Sequence, residues 1–337
     1  MKQAVLTQQG TLAITDVQEN LSLLADEVLI EVKVVTICGS DLSYFKAEQL
    51  PHQLQYPLVL GHEMAGIVKE TGTAVTSFQK GDRVAVEPQS YCGHCEACKR
   101  GDYNFCESLK FMASKGISGA LKQYVKWPQR AVYKLEDSMS LEEGALLEPL
   151  SVAYSAIEKL DIHKDSNLVI LGAGSIGLLM GALMQTLYPE VCVHLVDIYE
   201  NKRDMGERLH LKREQFLIEG AYDLHFMKRF THIMDTTGNS RVVKRFLQHS
   251  IPGATLLEIG VSDRPLDITF KEIVYQGVNI IGSYRYTNTY PKLLKLFQEQ
   301  RLHVRDIITD RYPLKEVQTA FEQAMDGRHH SKIAIQL

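Results

Sequence analysis

The sequence lacks any strong imbalance of charge. Its 37 Lys and Arg residues stand against 41 Asp and Glu, a formal net charge of −4, which argues against a surface built to hold nucleic acid. Apolar residues are not in short supply, since 45% are hydrophobic and 23% charged, a balance that excludes a disordered chain. Long apolar runs are missing. The longest, Leu168 to Met184, is broken by glycines and a serine and is too short to span a bilayer. The opening MKQAVLTQQG has neither the apolar core nor the small-residue cleavage site of a secretory signal. No internal repeat or low-complexity segment follows. At 337 residues the chain suits two domains of ordinary size. A soluble, cytoplasmic protein with no membrane and no nucleic-acid partner is expected.

Cysteine is scarce but concentrated. Of six, four fall at Cys92, Cys95, Cys98 and Cys106, within Y-C-G-H-C-E-A-C-K-R-G-D-Y-N-F-C. In a reducing compartment such spacing points to metal ligands rather than disulfides. Two intervening residues let the chain turn back, and four thiolates close a tetrahedral shell, as in a structural zinc site. A four-cysteine iron–sulfur cluster is the competing metal, but its usual spacings differ. A second group is dispersed: Cys38 in T-I-C-G-S-D after an alternating run at Val28 to Val34, His62 and Glu63 in L-G-H-E-M-A-G, and Glu148 in A-L-L-E-P-L. Each alone reads as an ordinary core or helix-end residue. Together they offer one sulfur, one nitrogen and two carboxylates, a mixed set suited to zinc with a position left open. Cys192 has no assigned role and reads as a buried strand residue.

The third signal binds a dinucleotide. Asn167 to Leu171 reads as a short buried strand, and G-A-G-S-I-G follows at Gly172 to Gly177. A helix over about Ser175 to Leu187 leads to Pro189, and a second strand, Val191 to Val196, ends in Asp197. The glycines permit a tight turn, approach to a pyrophosphate and close helix–strand packing, while the helix N-terminus attracts phosphate. Asp197 stands where an acid accepts hydrogen bonds from ribose hydroxyls. Its charge favours NAD over NADP, although Lys202 and Arg203 follow closely.

These motifs resemble those of the zinc-containing medium-chain dehydrogenases, and most of all the sorbitol/xylitol (polyol) branch. The likeness runs through C-G-S-D at Cys38, G-H-E at His62, G-D-R-V-A-V-E-P before the cysteine lobe and L-K-F-M-A at Leu109. It continues through L-E-E-G-A-L-L-E-P-L-S-V-A at Leu141, GAGSIG, and G-S-Y-R-Y-T-N-T-Y-P at Gly282. The resemblance implies an α/β protein with a GroES-like β-barrel-type catalytic domain at 1–151 and 284–337, its zinc lobe at about 88–107. A Rossmann doubly wound parallel-sheet domain at 152–283 would bind NAD. Strand-rich halves and strand–helix alternation agree with that division.

By the same resemblance, Cys38, His62 and Glu63 are ligands of a catalytic zinc, Glu148 contacts that zinc or its water, and Ser40 relays the alcohol proton. Cys92, Cys95, Cys98 and Cys106 would hold a second, structural zinc. Tyr44, Phe111, Arg285 and Tyr286 fall at substrate positions. Gly172, Gly174, Ile176, Gly177, Asp197 and Lys202 fall in the cofactor site, with Ile259, Gly260, Val261, Ser283, Tyr284 and Arg285 on its nicotinamide side. Three features depart from the family pattern: Ser43 where relatives have a histidine, Lys202 where they have arginine, and a short, basic segment over 201–231. The expected function is hydride transfer from a polyol to NAD, reversible as ketose reduction, in a homo-oligomer (dimer or tetramer). The alternatives are the same chemistry on a polyol phosphate, a sugar acid or L-threonine, and a catalytically silent NAD-binding relative.

Overall fold

The computed structural model describes residues 1–47, 56–114 and 116–337, and the chain divides into two compact units. The first comprises Met1–Pro149, Thr287–Gln300 and Ile308–Leu337. Its main sheet has seven strands, in the order Ile308–Pro313, Lys332–Gln336, Glu27–Thr36, Glu63–Thr71, Arg83–Val86, Val132–Lys134, with Tyr124–Pro128 also on Glu27–Thr36. All these pairs are antiparallel except the first, which is parallel. Alternation along E-V-L-I-E-V-K-V sends Val28, Ile30 and Val32 into a core shared with Met64, Val68, Val84, Trp127 and Phe321. Register then decides the chemistry. Thr36 faces Glu63 on one neighbour and Ala334 on the other, so the returning C-terminal strand lies beside the His62–Glu63 entry.

The end of the Arg83–Val86 strand leads into a buried polar cluster. Glu87 is 1% exposed. The Tyr133 hydroxyl donates to its Oε2 at 3.0 Å and Gln89 Nε2 to its Oε1 at 3.2 Å, and the Tyr103 hydroxyl is a further donor. Burial outweighs these donors and lifts the Glu87 carboxyl to about 7. A raised carboxyl contributes stability below its unfolded value, near 4.5, which is lost as pH rises through 7. The Glu87→Gln variant should lack that dependence. Relative to the parent it should gain about 3 kcal/mol between pH 4.5 and 8, read by urea unfolding at each pH. A parallel pair of stability–pH curves would exclude the shift.

The second unit comprises Leu150–Tyr286 and Arg301–Ile307. Its six strands run Phe216–Ile218, Cys192–Asp197, Asn167–Leu171, His232–Asp235, Thr255–Glu258, Asn279–Gly282, every pair parallel. In chain order that is 3-2-1-4-5-6, the doubly wound arrangement that binds dinucleotides where the order reverses. Val169, Leu171, Val196, Phe230, Ile233, Phe246 and Leu256 fill one face. The helix after the glycine loop, Ser175–Leu187, is buried along most of its length, as its apolar sequence requires.

The short 201–231 segment holds only small elements: a helix at Lys202–Glu207, a three-residue strand at Phe216–Ile218 and a helical turn at Leu224–Met227. Cys192 differs from expectation. It is exposed, because it opens its strand at the N-terminal end of the sheet, beyond the packed middle. The structure divides the chain at Pro149 and Tyr286 and gives residues 301–307 to the second unit. Among the described residues no helix is long and apolar enough to cross a membrane.

Candidate active site

Cys38 is the N-cap of helix Gly39–Lys46, and His62 and Glu63 stand at the start of the Glu63–Thr71 strand. The three offer ligand atoms within 4.8 Å of one another. Glu148, buried at 5% exposure, is not part of that group. Asp41 draws the cluster together. Its Oδ2 accepts the Cys38 N–H at 3.1 Å, its Oδ1 accepts the Gly61 N–H at 3.0 Å, and its Oδ1 lies 3.5 Å from His62 Nδ1. The ring is thus oriented through Nδ1, which is how metal-binding histidines are held. Burial opposes charge on His62, but Asp41 and then Cys38 raise it well above the ordinary imidazole range. The donor set of sulfur, imidazole and carboxylate fits zinc.

Glu63 is already engaged. Lys332 Nζ lies 2.8 and 2.9 Å from its two oxygens and donates to the Ile37 carbonyl at 3.2 Å. The Thr36 hydroxyl also donates to Glu63. Burial works against the Lys332 charge, yet Glu63 first, and Cys38 and Glu148 beyond it, hold it above the ordinary lysine range. Glu63 therefore sits between a cation of the protein and the place a metal would take.

Of the expected substrate residues, Phe111 packs its ring 5.3 Å from the His62 ring, and Tyr44 packs against the first core. Ser40 is exposed on the first turn of its helix, and the Ser43 hydroxyl turns back to the Gly39 carbonyl at 3.3 Å. Arg285 and Tyr286 belong to the second unit. Arg285 lies over the Tyr284 ring at 4.9 Å, and Tyr286 is 1% exposed.

The four-cysteine lobe gathers Cys92, Cys95, Cys98 and Cys106 with all four sulfurs within 4.8 Å. Cys92 and Cys98 Sγ stand 3.9 Å apart, near the separation of about 3.8 Å for sulfurs each about 2.3 Å from one zinc. Backbone N–H groups of His94 and Cys95 reach Cys92 Sγ at 3.5 and 3.4 Å. Those of Cys98 and Glu107 push the Cys95 thiol down to about 6. Backbone donors thus favour the thiolate at Cys92 and Cys95, whereas burial pushes the Cys98 thiol up to about 12. The Cys95→Ser variant should lose one metal per chain and become susceptible to proteolysis within the lobe, with the global melting midpoint falling by about 5 °C or less. Full metal content by elemental analysis would count against a metal at this site.

In the second unit, Gly172 has φ +94°, and a Cβ on Gly177 would lie 1.9 Å from the Gly172 carbonyl oxygen, whereas one on Gly174 would meet nothing within 4 Å. Two glycines are thus needed for the turn and packing, and the third faces open space, the approach a pyrophosphate needs. Ile176 follows in the first turn of the helix. Asp197 Oδ2 accepts the Ala173 N–H at 2.8 Å and Oδ1 the Tyr199 N–H at 3.0 Å, so it orders the glycine loop and keeps further lone pairs for a ribose. Lys202 is buried, its Nζ 3.5 Å from Met205 Sδ. Ile259 and Gly260 donate to the Asp235 carbonyl at 3.0 and 3.1 Å, Ser283 to the Glu258 carbonyl at 2.8 Å, and Val261 is 77% exposed.

Asp41 and Lys332 were missed by sequence reasoning. Asp41 stands three residues beyond Cys38, the spacing of a capping acid, and could have been found that way. Lys332 opens an apolar strand and carries no local signal. Glu258 was missed too. It sits opposite Asp235 in register, and burial, then the Asp235 charge, lifts its carboxyl to about 8.

Comparison with known proteins agrees with this geometry. Residues 24–137 match the family described as the alcohol dehydrogenase GroES-like domain. The chain is 34% identical to sorbitol dehydrogenase of Bacillus subtilis (strain 168), over 90% of this chain and 88% of the relative. It is 31% identical to L-idonate 5-dehydrogenase of Vitis vinifera, over 92% and 88%. Among solved structures, an Escherichia coli oxidoreductase of unknown specificity superposes with a TM-score of 0.91 at 32% identity, covering 99% of this chain and 98% of that one.

Proposed function

The chain belongs to the zinc-type alcohol dehydrogenases with a GroES-like domain, in their polyol branch, and from that premise we propose that it oxidises a secondary alcohol of a free polyol with NAD. The reverse reaction reduces the ketose. The observation that carries this reading is the convergence of Cys38, His62 and Glu63 within 4.8 Å. A zinc ion held there would act as a Lewis acid on the substrate hydroxyl, and bound NAD would take the hydride. Ser40 accepts the proton released and passes it to solvent. Phe111 and Tyr44 shape the pocket around the carbon chain, while Arg285 and Tyr286 donate to the remaining hydroxyls. Glu148, whose charge reaches Lys332, would contact the zinc or its bound water.

The loop from Gly172 through Gly174 and Ile176 to Gly177 takes the pyrophosphate. Ile259, Gly260, Val261, Ser283 and Tyr284 border the nicotinamide. Asp197 accepts from the ribose hydroxyls, and its charge disfavours the 2′-phosphate of NADP. The protein therefore carries two zinc ions, one catalytic and one structural, and uses NAD. A homo-oligomer follows from the second unit's edge strand, Asn279–Gly282. Ile280 on that strand, and Phe270, Val274 and Tyr275 on the preceding helix, Phe270–Gln276, are exposed at 46, 87, 70 and 78%, an apolar surface that a second copy would cover. The reduced thiols suit the cytoplasm.

Arg285 favours one second reading, an anionic substrate such as a sugar acid or polyol phosphate. A panel of free polyols, sugar acids and polyol phosphates, assayed for NADH formation by the zinc-loaded enzyme, separates them. Free polyols should be preferred by about tenfold or more, with NAD over NADP by a similar factor, the worth of one well-placed charge or hydrogen bond. Turnover of anionic substrates alone would make Arg285 an anion anchor. Failure of every substrate would leave a silent relative.

A further inference from the structure

We propose that Tyr103, carried by the four-cysteine lobe, is a positioning residue for substrate recognition: its hydroxyl fixes the 285–289 turn in the shape that presents Arg285 and Tyr286. The inference rests on the reading of those two residues as polyol contacts. The turn is strained, since Arg285 has φ 53° and Asn288 φ 56°, both left-handed without being glycine. Thr289 occupies the N-cap of helix Tyr290–Gln298 with φ −93° and ψ −30°, makes no capping bond, and leaves its buried Oγ1 without a partner. One restraint comes from the lobe. The Asn288 N–H donates to the Tyr103 hydroxyl at 2.8 Å.

That hydroxyl can accept because its own proton is committed elsewhere. Tyr103 donates to Glu87, which leaves its oxygen lone pairs for Asn288. The ring is fixed as well: Tyr103 is 5% exposed and stacks on Tyr91 at 4.2 Å, three residues before the ligand Cys106. Glu87 serves both sides of the turn. Its other tyrosine, Tyr133, stacks at 4.7 Å on Tyr290, whose hydroxyl donates to the Val86 carbonyl at 3.0 Å. The helix start is pinned through Tyr290 and the strained residue before it through Tyr103. The lobe therefore does more than add stability. It is the support against which the recognition turn is set.

The Tyr103→Phe variant keeps the ring and removes the acceptor. Amide hydrogen exchange in the 285–290 peptide should quicken. The KM for the preferred polyol should rise about five- to tenfold, as expected for one lost hydrogen bond. kcat should stay within about twofold, with the KM for NAD and zinc content unchanged and the melting midpoint lowered by a few degrees for the lost buried hydrogen bonds. Arg285→Ala is measured in parallel. Unchanged exchange in the turn would overturn the anchoring. Faster exchange with unchanged polyol KM, in an enzyme whose KM Arg285→Ala does raise, would overturn the recognition role. If Arg285→Ala leaves KM unchanged while Tyr103→Phe quickens exchange, the reading of Arg285 fails and the anchoring stands.

Discussion

Replacing Cys38 by serine should lower polyol turnover by about 10³-fold or more while leaving the fold intact. The loss follows from the metal. A serine hydroxyl is not ionised near neutral pH and is a poor zinc ligand, so Lewis-acid stabilisation worth several kcal/mol disappears with the ion. The fold survives because of where Cys38 stands. It is the N-cap of helix Gly39–Lys46, in a capping box with Asp41, and serine is among the residues best suited to that position. The Asp41 carboxylate would still accept the backbone N–H of residue 38, a bond of 3.1 Å that involves no side-chain atom there. Metal content should fall from two ions per chain to one, with the melting midpoint within a few degrees of the parent. Undiminished turnover would remove Cys38 from the catalytic metal set. Lost turnover with both ions retained would place the defect in the pocket rather than in the ligand.

The contrast between this cysteine and those of the lobe shows what the sequence could convey. Cys92, Cys95, Cys98 and Cys106 converge because short spacings leave the chain little choice, and the glycine loop with its strands and helix is equally local. Cys38, His62 and Glu63 meet through sheet register, Thr36 opposite Glu63, and through Asp41 bonding to both Cys38 and Gly61. The Cys38–Asp41 spacing is local, but no local pattern encodes the register or the bond to Gly61. The parallel sheet of the second unit was legible from alternating strands and helices. Its thin 201–231 stretch was legible as a shortening, but not as a six-residue helix and a three-residue strand. The exposure of Cys192 was not, since an apolar strand does not announce which of its ends leaves the core.

Lys332 is the clearest case of a residue whose role exists only in the folded chain. The Lys332→Met variant should destabilise the metal-free protein by about 3–5 kcal/mol, the cost of stranding one partner of a buried ion pair. Glu63 is fully buried at 0% exposure and Lys332 is 3% exposed, so no water can replace the ammonium. Methionine keeps most of the stem volume, which confines the effect to the lost charge and its bond to the Ile37 carbonyl. Glu63 would then depend on Thr36 and on whatever cation occupies the Cys38–His62 side. Zinc should therefore stabilise Lys332→Met more than it stabilises the parent, because the metal becomes the main neutraliser of that carboxylate. Urea unfolding with and without zinc gives both quantities. Adding Glu63→Gln to Lys332→Met should restore most of the metal-free stability, since a neutral amide needs no counter-ion. A loss below about 1 kcal/mol in the single variant, the range of a surface ion pair, would mean that Glu63 takes up a proton instead. In that event Lys332 would have no part in keeping the carboxylate ready for a metal.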